Sequence, residues 1–250
     1  MKAQSSSYQI FNKNCNSKFL LLCDHATNRI PSDISTTNLG LSKKDLNRHI
    51  AYDIGALKTA FELSKFLEAP LISSNFSRLV IDVNRSTEDP TSIMQIYDGA
   101  IIPGNCNLSE AEINCRHTKF YDPYHNIIAK FIKQRKILSL PTCLVSIHSF
   151  TPKLKFQRSR PWHIGILWDR DTRMSELVLK ELAKYKTICI GRNKPYSGKL
   201  KGDTLSQHGT SNKLLHVLIE IRNDLITDTL GQKKWSKVLG TVLMKSIQQI

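Results

Sequence analysis

The sequence predicts an α/β protein in which a β-sheet is covered by helices on both faces. Three observations carry this. Apolar runs of four to six residues alternate along the chain with longer stretches of helical periodicity. Strand–helix–strand–helix is the order that such a layered sheet requires. Polar residues able to do chemistry follow the apolar runs directly, where open α/β sheets hold their ligands.

Residues 1–18 carry Ser5-Ser6-Ser7, several asparagines and no acid, and are expected to form a loosely ordered polar leader before a single domain over 19–250. The first strand is 19–23, Phe-Leu-Leu-Leu-Cys, a run too short for a membrane span and placed behind a polar start unlike a signal peptide. A helix is expected over 42–67, with Ser42 as its cap, Asp45 where a capping box wants an acid, and a stripe of Leu46, Ile50, Ile54, Leu57, Phe61 and Phe66. A strand at 70–74 follows. The helix expected over 109–138 opens at Ser109 with Glu110 and Glu112, acids that favour a helix N-terminus. Strands at 142–147 and 164–168, a helix over 172–185, strands at 187–190 and 216–221, and a helix over 230–247 complete the series.

The 250 residues include 36 basic and 21 acidic side chains, a net charge of +15, and 40% are hydrophobic, enough for a folded core. Such charge suits nucleic acid, a membrane surface or acidic small molecules. No helix-turn-helix or RNA-binding signature accompanies it, and aromatics do not interleave with the bases apart from Phe156. Neither nucleic acid nor membrane is therefore expected as partner. Lysines scattered on helices read as ordinary solvated surface. The six cysteines form no C-x-x-C pair, which argues against a zinc knuckle or disulfide framework and for a reducing, cytoplasmic setting.

Three strand ends carry groups whose burial alone would be costly: Asp24-His25 after the first strand, His148-Ser149 after the 142–147 run, and Glu220 within the last. Two histidines and a carboxylate are the materials of a catalytic zinc site. A fourth segment alternates through Leu79-Val80-Ile81 into Asp82 and ends on Asn84-Arg85. Arginine grips a carboxylate with two parallel hydrogen bonds, and a neighbouring amide completes the clamp. Asp82 can instead accept the free ring N–H of a metal-bound histidine.

In order, CDHATNRIP, HIAYDIGA, SRLVIDVNR, IHSFTP, GRNKPYSG and VLIEIRNDLI resemble the N-formylglutamate amidohydrolase family over nearly the whole chain. That family is similar in fold to zinc carboxypeptidases and zinc amidases (the phosphorylase/hydrolase-like fold), a mixed, mostly parallel sheet between helices with one divalent metal ion, Zn²⁺, at the strand ends. By this resemblance His25 and His148 are metal ligands, Glu220 is the general base, and Asn84 and Arg85 hold a substrate carboxylate. Carboxypeptidases take their acidic ligand from H-x-x-E, but Asn28 stands at that glutamate position, and an amide oxygen is a poorer zinc ligand. Asp53, expected on the apolar side of the 42–67 helix, is the preferred third ligand, with Asn28 and Asp24 as alternatives. Asp82 and Ser149 are expected as supporting residues.

Two loops, 153–160 and 191–201, each carry four bases and are expected to border the site. Arg78, Tyr196 and Arg222 are candidate substrate contacts, Arg222 because at i+2 it faces the same way as Glu220. His208 lies in a polar loop, and His117, His125 and His163 have no assignable partner. The expected activity is metal-dependent hydrolysis of the amide of an N-acyl acidic amino acid, N-formyl-L-glutamate to formate and glutamate, as in amino-acid degradation. A zinc amidase or peptidase of other specificity, or a non-catalytic binding protein on the same fold, is the alternative.

Overall fold

A computed structural model describes residues 6–250. Its strands are β1 (Tyr8–Phe11), β2 (Phe19–Cys23), β3 (Leu71–Ser74), β4 (Ile96–Tyr97), β5 (Ala100–Ile101), β6 (Cys143–Phe150), β7 (Ile164–Leu167), β8 (Ile190–Arg192) and β9 (Leu215–Arg222). Its helices are α1 (Lys43–Leu46), α2 (Ala56–Phe66), α3 (Glu110–Arg116), α4 (Asp122–Ile137), α5 (Arg173–Leu182), α6 (Thr204–His208) and α7 (Thr229–Ile247). Seven strands join in the order β1-β3-β2-β6-β9-β7-β8, while β4 and β5 form a separate hairpin.

The sheet is mixed and mostly parallel: β1 runs antiparallel to β3, and β7 antiparallel to β9. Its central strands are apolar on both faces because both are covered, which is why they read as unbroken runs. Leu21, Val145, Val217 and Ile219 pack toward α2, α5 and α7, whereas Leu20, Leu22, Leu144 and Leu218 pack toward α4 and α6. Among the described residues no helix is long and apolar enough to cross a membrane.

Four expectations need correction. The leader is partly structured: residues 1–5 lie outside the described part, but β1 pairs with the edge of the sheet from Tyr8 opposite Ser74 to Phe11 opposite Leu71. Its alternation sends Tyr8 and Ile10 to one apolar cluster and Phe11 to the other, edge-on to Phe61 at 5.3 Å. The helix expected over 42–67 is broken. Ser42 does cap α1, accepting from Asp45 N at 3.1 Å, but α2 begins only after Gly55, at φ +79°, where a Cβ would lie 2.2 Å from the Ile226 carbonyl. Leu46, Ile50 and Ala51 are drawn aside into a third apolar cluster with Leu39, Leu79 and Ile102. Asp53 therefore sits in a loop and not on a helix. The 109–138 helix is interrupted by a π-helical turn at His117–Tyr121. Finally, the strand expected at 187–190 is displaced to Ile190–Arg192, and the one expected to stop at 147 continues to Phe150, so His148 lies within it.

Candidate active site

Three neighbouring strands at the middle of the sheet deliver the polar groups to one place. β2 and β6 are parallel with Leu22 opposite Ser146, which brings Asp24 level with His148. On the other side of β6, His148 is the direct register partner of Glu220. The loop before α2 is tied to the end of β2 by Asp53 N–H donating to the His25 carbonyl at 2.9 Å. Ser149 fixes the same loop, donating its hydroxyl to Ile54 O and its N–H to Asp53 Oδ2.

His25, Asp53 and His148, all buried, offer ligand atoms within 4.8 Å of one another, a group able to hold a metal ion. Asp53 Oδ2 is 2.9 Å from His148 Nδ1 and 3.4 Å from His25 Nδ1. Behind each ring stands another carboxylate. His25 Nε2 is 2.6 Å from Asp82 Oδ1, and His148 Nε2 is 3.0 Å from Asp24 Oδ2. Asp24 in turn accepts from the Tyr124 hydroxyl at 2.6 Å and the Ser146 hydroxyl at 3.1 Å.

Burial pushes the Asp24 carboxyl up, but His148, His25 and Tyr124 hold it down at about 2. Asp53 and Asp82 are likewise depressed against their burial, Asp53 by His25 and His148, Asp82 by Arg78 and His25. Ionised carboxylates only accept, so a neutral ring that donates Nε2–H to Asp82 or Asp24 turns its Nδ1 lone pair to the common centre, whereas a protonated ring also donates Nδ1–H to Asp53. Three carboxylates outnumber the guanidiniums of Arg78 and Arg85 and leave the group with a net negative charge. Protons partly answer that excess: burial lowers the histidine pKa values, yet the carboxylates raise that of His25 and raise that of His148 well above the usual value. His25 Nδ1 is nevertheless buried without a hydrogen-bond partner. An orphaned imidazole nitrogen, a facing second one, an anionic charge and oriented backing carboxylates fit a divalent cation.

A cavity of about 320 Å³ opens over this group, lined among others by Glu220, Asn84, Arg85, Tyr196 and Lys199. Glu220 is buried, its Oε2 lacks a partner, and burial, partly offset by His148, pushes its pKa up to about 7. Asn84 Oδ1 accepts from Thr204 N at 3.0 Å, which turns its Nδ2 donor away from α6. Arg85 keeps its guanidinium 3.9 Å from Asp82. Arg78 is bonded to Asp82 and lies 3.6 Å from Asp53.

One expected substrate contact and the two alternative third ligands lie elsewhere. Arg222 pairs with Asp224 at 2.8 Å and leans on the carbonyls of residues 160–162, outside the cavity lining. Asn28 donates to Leu46 O and Asn47 Oδ1, both at 3.0 Å, and does not line the cavity. Asp24 stands behind the His148 ring and not beside its Nδ1. Of the eight bases in the two loops, only Lys199 belongs to the cavity lining, while Arg192 lies over Trp168 at 5.6 Å. His208 is buried against His125, Nε2 to Nδ1 at 2.9 Å, and His163 accepts from Cys189 N. Sequence reasoning missed His49 and Phe150 in the lining, and Tyr124 and Ser146 behind His148. The HIAYDIGA and IHSFTP motifs contained the first two; nothing local marks Tyr124, which comes from a helix a hundred residues away.

Two imidazoles, flanking carboxylates and a buried acid thus meet at the centre of a mixed, mostly parallel α/β sheet, in a group that could hold a metal ion. The chain belongs to the N-formylglutamate amidohydrolase family, whose model matches residues 17–227. It is similar to the crystal structure of a gene product from Agrobacterium tumefaciens, with 36% identity, a TM-score of 0.94, and coverage of 100% of this chain and 98% of that one. N-formylglutamate amidohydrolase from Ralstonia eutropha shares the fold at 18% identity and a TM-score of 0.65, with 98% of each chain covered. No curated protein sequence matches the chain.

Proposed function

We propose that the protein hydrolyses the amide of an N-acyl acidic amino acid, converting N-formyl-L-glutamate and water to formate and glutamate, with zinc as cofactor. The observation that carries this reading is Glu220, unpartnered at Oε2, in register with His148 of the His25–Asp53–His148 group inside one cavity. His25, His148 and Asp53 would hold a divalent ion, which would supply Lewis acidity toward water and the formyl carbonyl.

The chain's own residues do the rest. Glu220, with a pKa near that of neutral solution, takes the proton of the attacking water at a carboxylate oxygen and delivers it to the leaving nitrogen. Asp82 and Asp24 hold the two rings by their Nε2–H groups. Asn84 and Arg85 hold the α-carboxylate, and Arg78 assists by fixing the Asp82 and Asp53 carboxylates beside the site. Six free thiols suit a reducing compartment such as the cytoplasm.

The test is formate release from N-formyl-L-glutamate by zinc-loaded protein, against N-acetyl and N-succinyl glutamate and N-formyl derivatives of neutral amino acids. Fastest turnover of the N-formyl acidic substrate is expected. Better turnover of a neutral residue refutes the glutamate assignment. Purified protein that neither takes up zinc stoichiometrically nor hydrolyses any of the panel is a binding protein on this fold.

A further inference from the structure

An acidic amino-acid substrate brings two carboxylates, and the proposed clamp accounts for one. The remaining cations around the cavity differ in how they are held. Arg78 is neutralised by Asp82 and Asp53, and Arg222 by Asp224. Lys199 lines the cavity but is exposed, with no side-chain hydrogen bond fixing its ammonium. Arg160 is different. Among the described residues no carboxylate lies within salt-bridge distance of it, yet it is firmly held.

Its backbone N–H donates to Pro152 O at 2.8 Å. Its Nη1 donates to the Thr151 carbonyl at 3.2 Å and to the Tyr196 hydroxyl at 3.1 Å. The guanidinium lies over the Tyr196 ring at 4.9 Å and near the Phe150 ring at 5.8 Å. Thr151, Phe150 and Tyr196 line the cavity, and Arg160, just outside that lining, is held at its rim by these three. One edge of the fork is thus consumed in fixing its position, while Nε and Nη2 have no protein acceptor among the described residues. A pre-oriented guanidinium with two free parallel donors is the geometry that takes a carboxylate bidentately, and its ordering cost is already met by the fold.

We infer that Arg160, steadied by Tyr196 and Phe150, is the subsite for the side-chain carboxylate of the substrate and sets its preference for an acidic amino acid. This rests on the proposed reading of the site as an N-acyl amino-acid hydrolase. Tyr196 on this account is a positioning residue: its hydroxyl accepts from Arg160 and fixes the angle of the fork.

The experiment compares wild type, Arg160→Met and Lys199→Met on N-formyl-L-glutamate and on its neutral isostere N-formyl-L-glutamine. Binding of glutarate and of butyrate to each protein is measured calorimetrically alongside. Removing one partner of a desolvated charge pair predicts that Arg160→Met lowers kcat/KM for the glutamate substrate on the order of 100-fold. The glutamine substrate changes little, so discrimination between the two collapses. Glutarate binding weakens to the level of butyrate in Arg160→Met and is retained in Lys199→Met. Loss of discrimination in Lys199→Met instead, or an equal fall on both substrates in Arg160→Met, overturns the assignment. If wild type hydrolyses neither substrate, the proposed function fails, but glutarate bound by wild type and lost in Arg160→Met still supports the subsite. Absence of glutarate binding to wild type overturns it.

Discussion

Replacing Asp82 by asparagine exchanges one carboxylate oxygen for an amide nitrogen and leaves the volume unchanged. Asp82 is fully buried, and both of its oxygens are engaged: Oδ1 by His25 Nε2 at 2.6 Å and Asn84 N at 2.9 Å, Oδ2 by Arg78 Nη2. An asparagine that keeps its carbonyl toward His25 sets its NH₂ against the Arg78 guanidinium, donor facing donor. The flipped amide sets NH₂ against His25 and drives the ring proton from Nε2 to Nδ1, the atom needed for the metal. Neither orientation satisfies the site. Breaking a buried ion pair from one side costs about 3–5 kcal/mol, a large part of the roughly 5–15 kcal/mol that stabilises a domain. With a urea m-value of about 3 kcal/mol/M, the midpoint of the metal-free variant falls by about 1 M or more. Loss of the carboxylate behind a ligating histidine weakens metal binding by about 10–100-fold. The assays are urea unfolding of the metal-free proteins and zinc titration against a competing chelator. A variant within about 1 kcal/mol of wild-type stability, or one with unchanged zinc affinity, refutes the role given to Asp82.

Glu220→Gln is expected to lower hydrolysis by about 10²–10⁴-fold while zinc stoichiometry by elemental analysis stays at wild type; a parallel loss of zinc makes Glu220 a ligand and not a base. The metal-free protein is expected to lose stability between pH 6.5 and 8. Glu220 titrates at about 7 in the fold, and His25 and His148 are raised, so the native state binds more protons than the unfolded one there, and stability falls as pH rises. The lowered histidines, His49, His125 and His208, act with opposite sign but are finished once pH exceeds the ordinary histidine value. Urea midpoints across that window check this, and in Glu220→Gln the slope is shallower. Zinc affinity rises over the same window, because ligand protons must leave. Gly165→Ala places a Cβ 2.1 Å from the Lys194 carbonyl and 3.4 Å from Glu220 Cβ. It displaces the loop that carries Tyr196, costs about 1–3 kcal/mol of stability, and raises KM for the acidic substrate more than it lowers kcat.

The central strands were legible because burial on both faces leaves an unmistakable apolar run, and the chemistry sits at their ends, so His25, His148 and Glu220 could be placed from sequence. Asp53 was found for a wrong reason. The stripe from Leu46 to Leu57 continues helical spacing across a break that only the approach of Gly55 to Ile226, 171 positions away, imposes. Arg222 misled because alternation gives a side chain its face but not its partner, and Asp224 two residues on captures it. The role of Asp24 depends on strand register, which no single segment encodes. The opening charge excess resolves poorly from sequence for a similar reason. Both basic loops are equally rich in lysine and arginine, but only contacts such as Thr151 and Tyr196 on Arg160 separate a fixed cation from a solvated one.

The groups that converge on the candidate metal centre come from positions 24, 25, 53, 82, 148 and 220, and their contacts join residues 57, 95 and 124 apart. No fragment shorter than most of the chain can assemble them, and a sheet lacking β6 lacks one of the three ligands. A cation captured here is therefore a reporter of completed folding: partly folded chains compete for it poorly, and the finished molecule gains stability in proportion to the logarithm of ion concentration over Kd. Supply of such an ion would then bear on how long each molecule survives unfolding and proteolysis, whatever the rate of its chemistry.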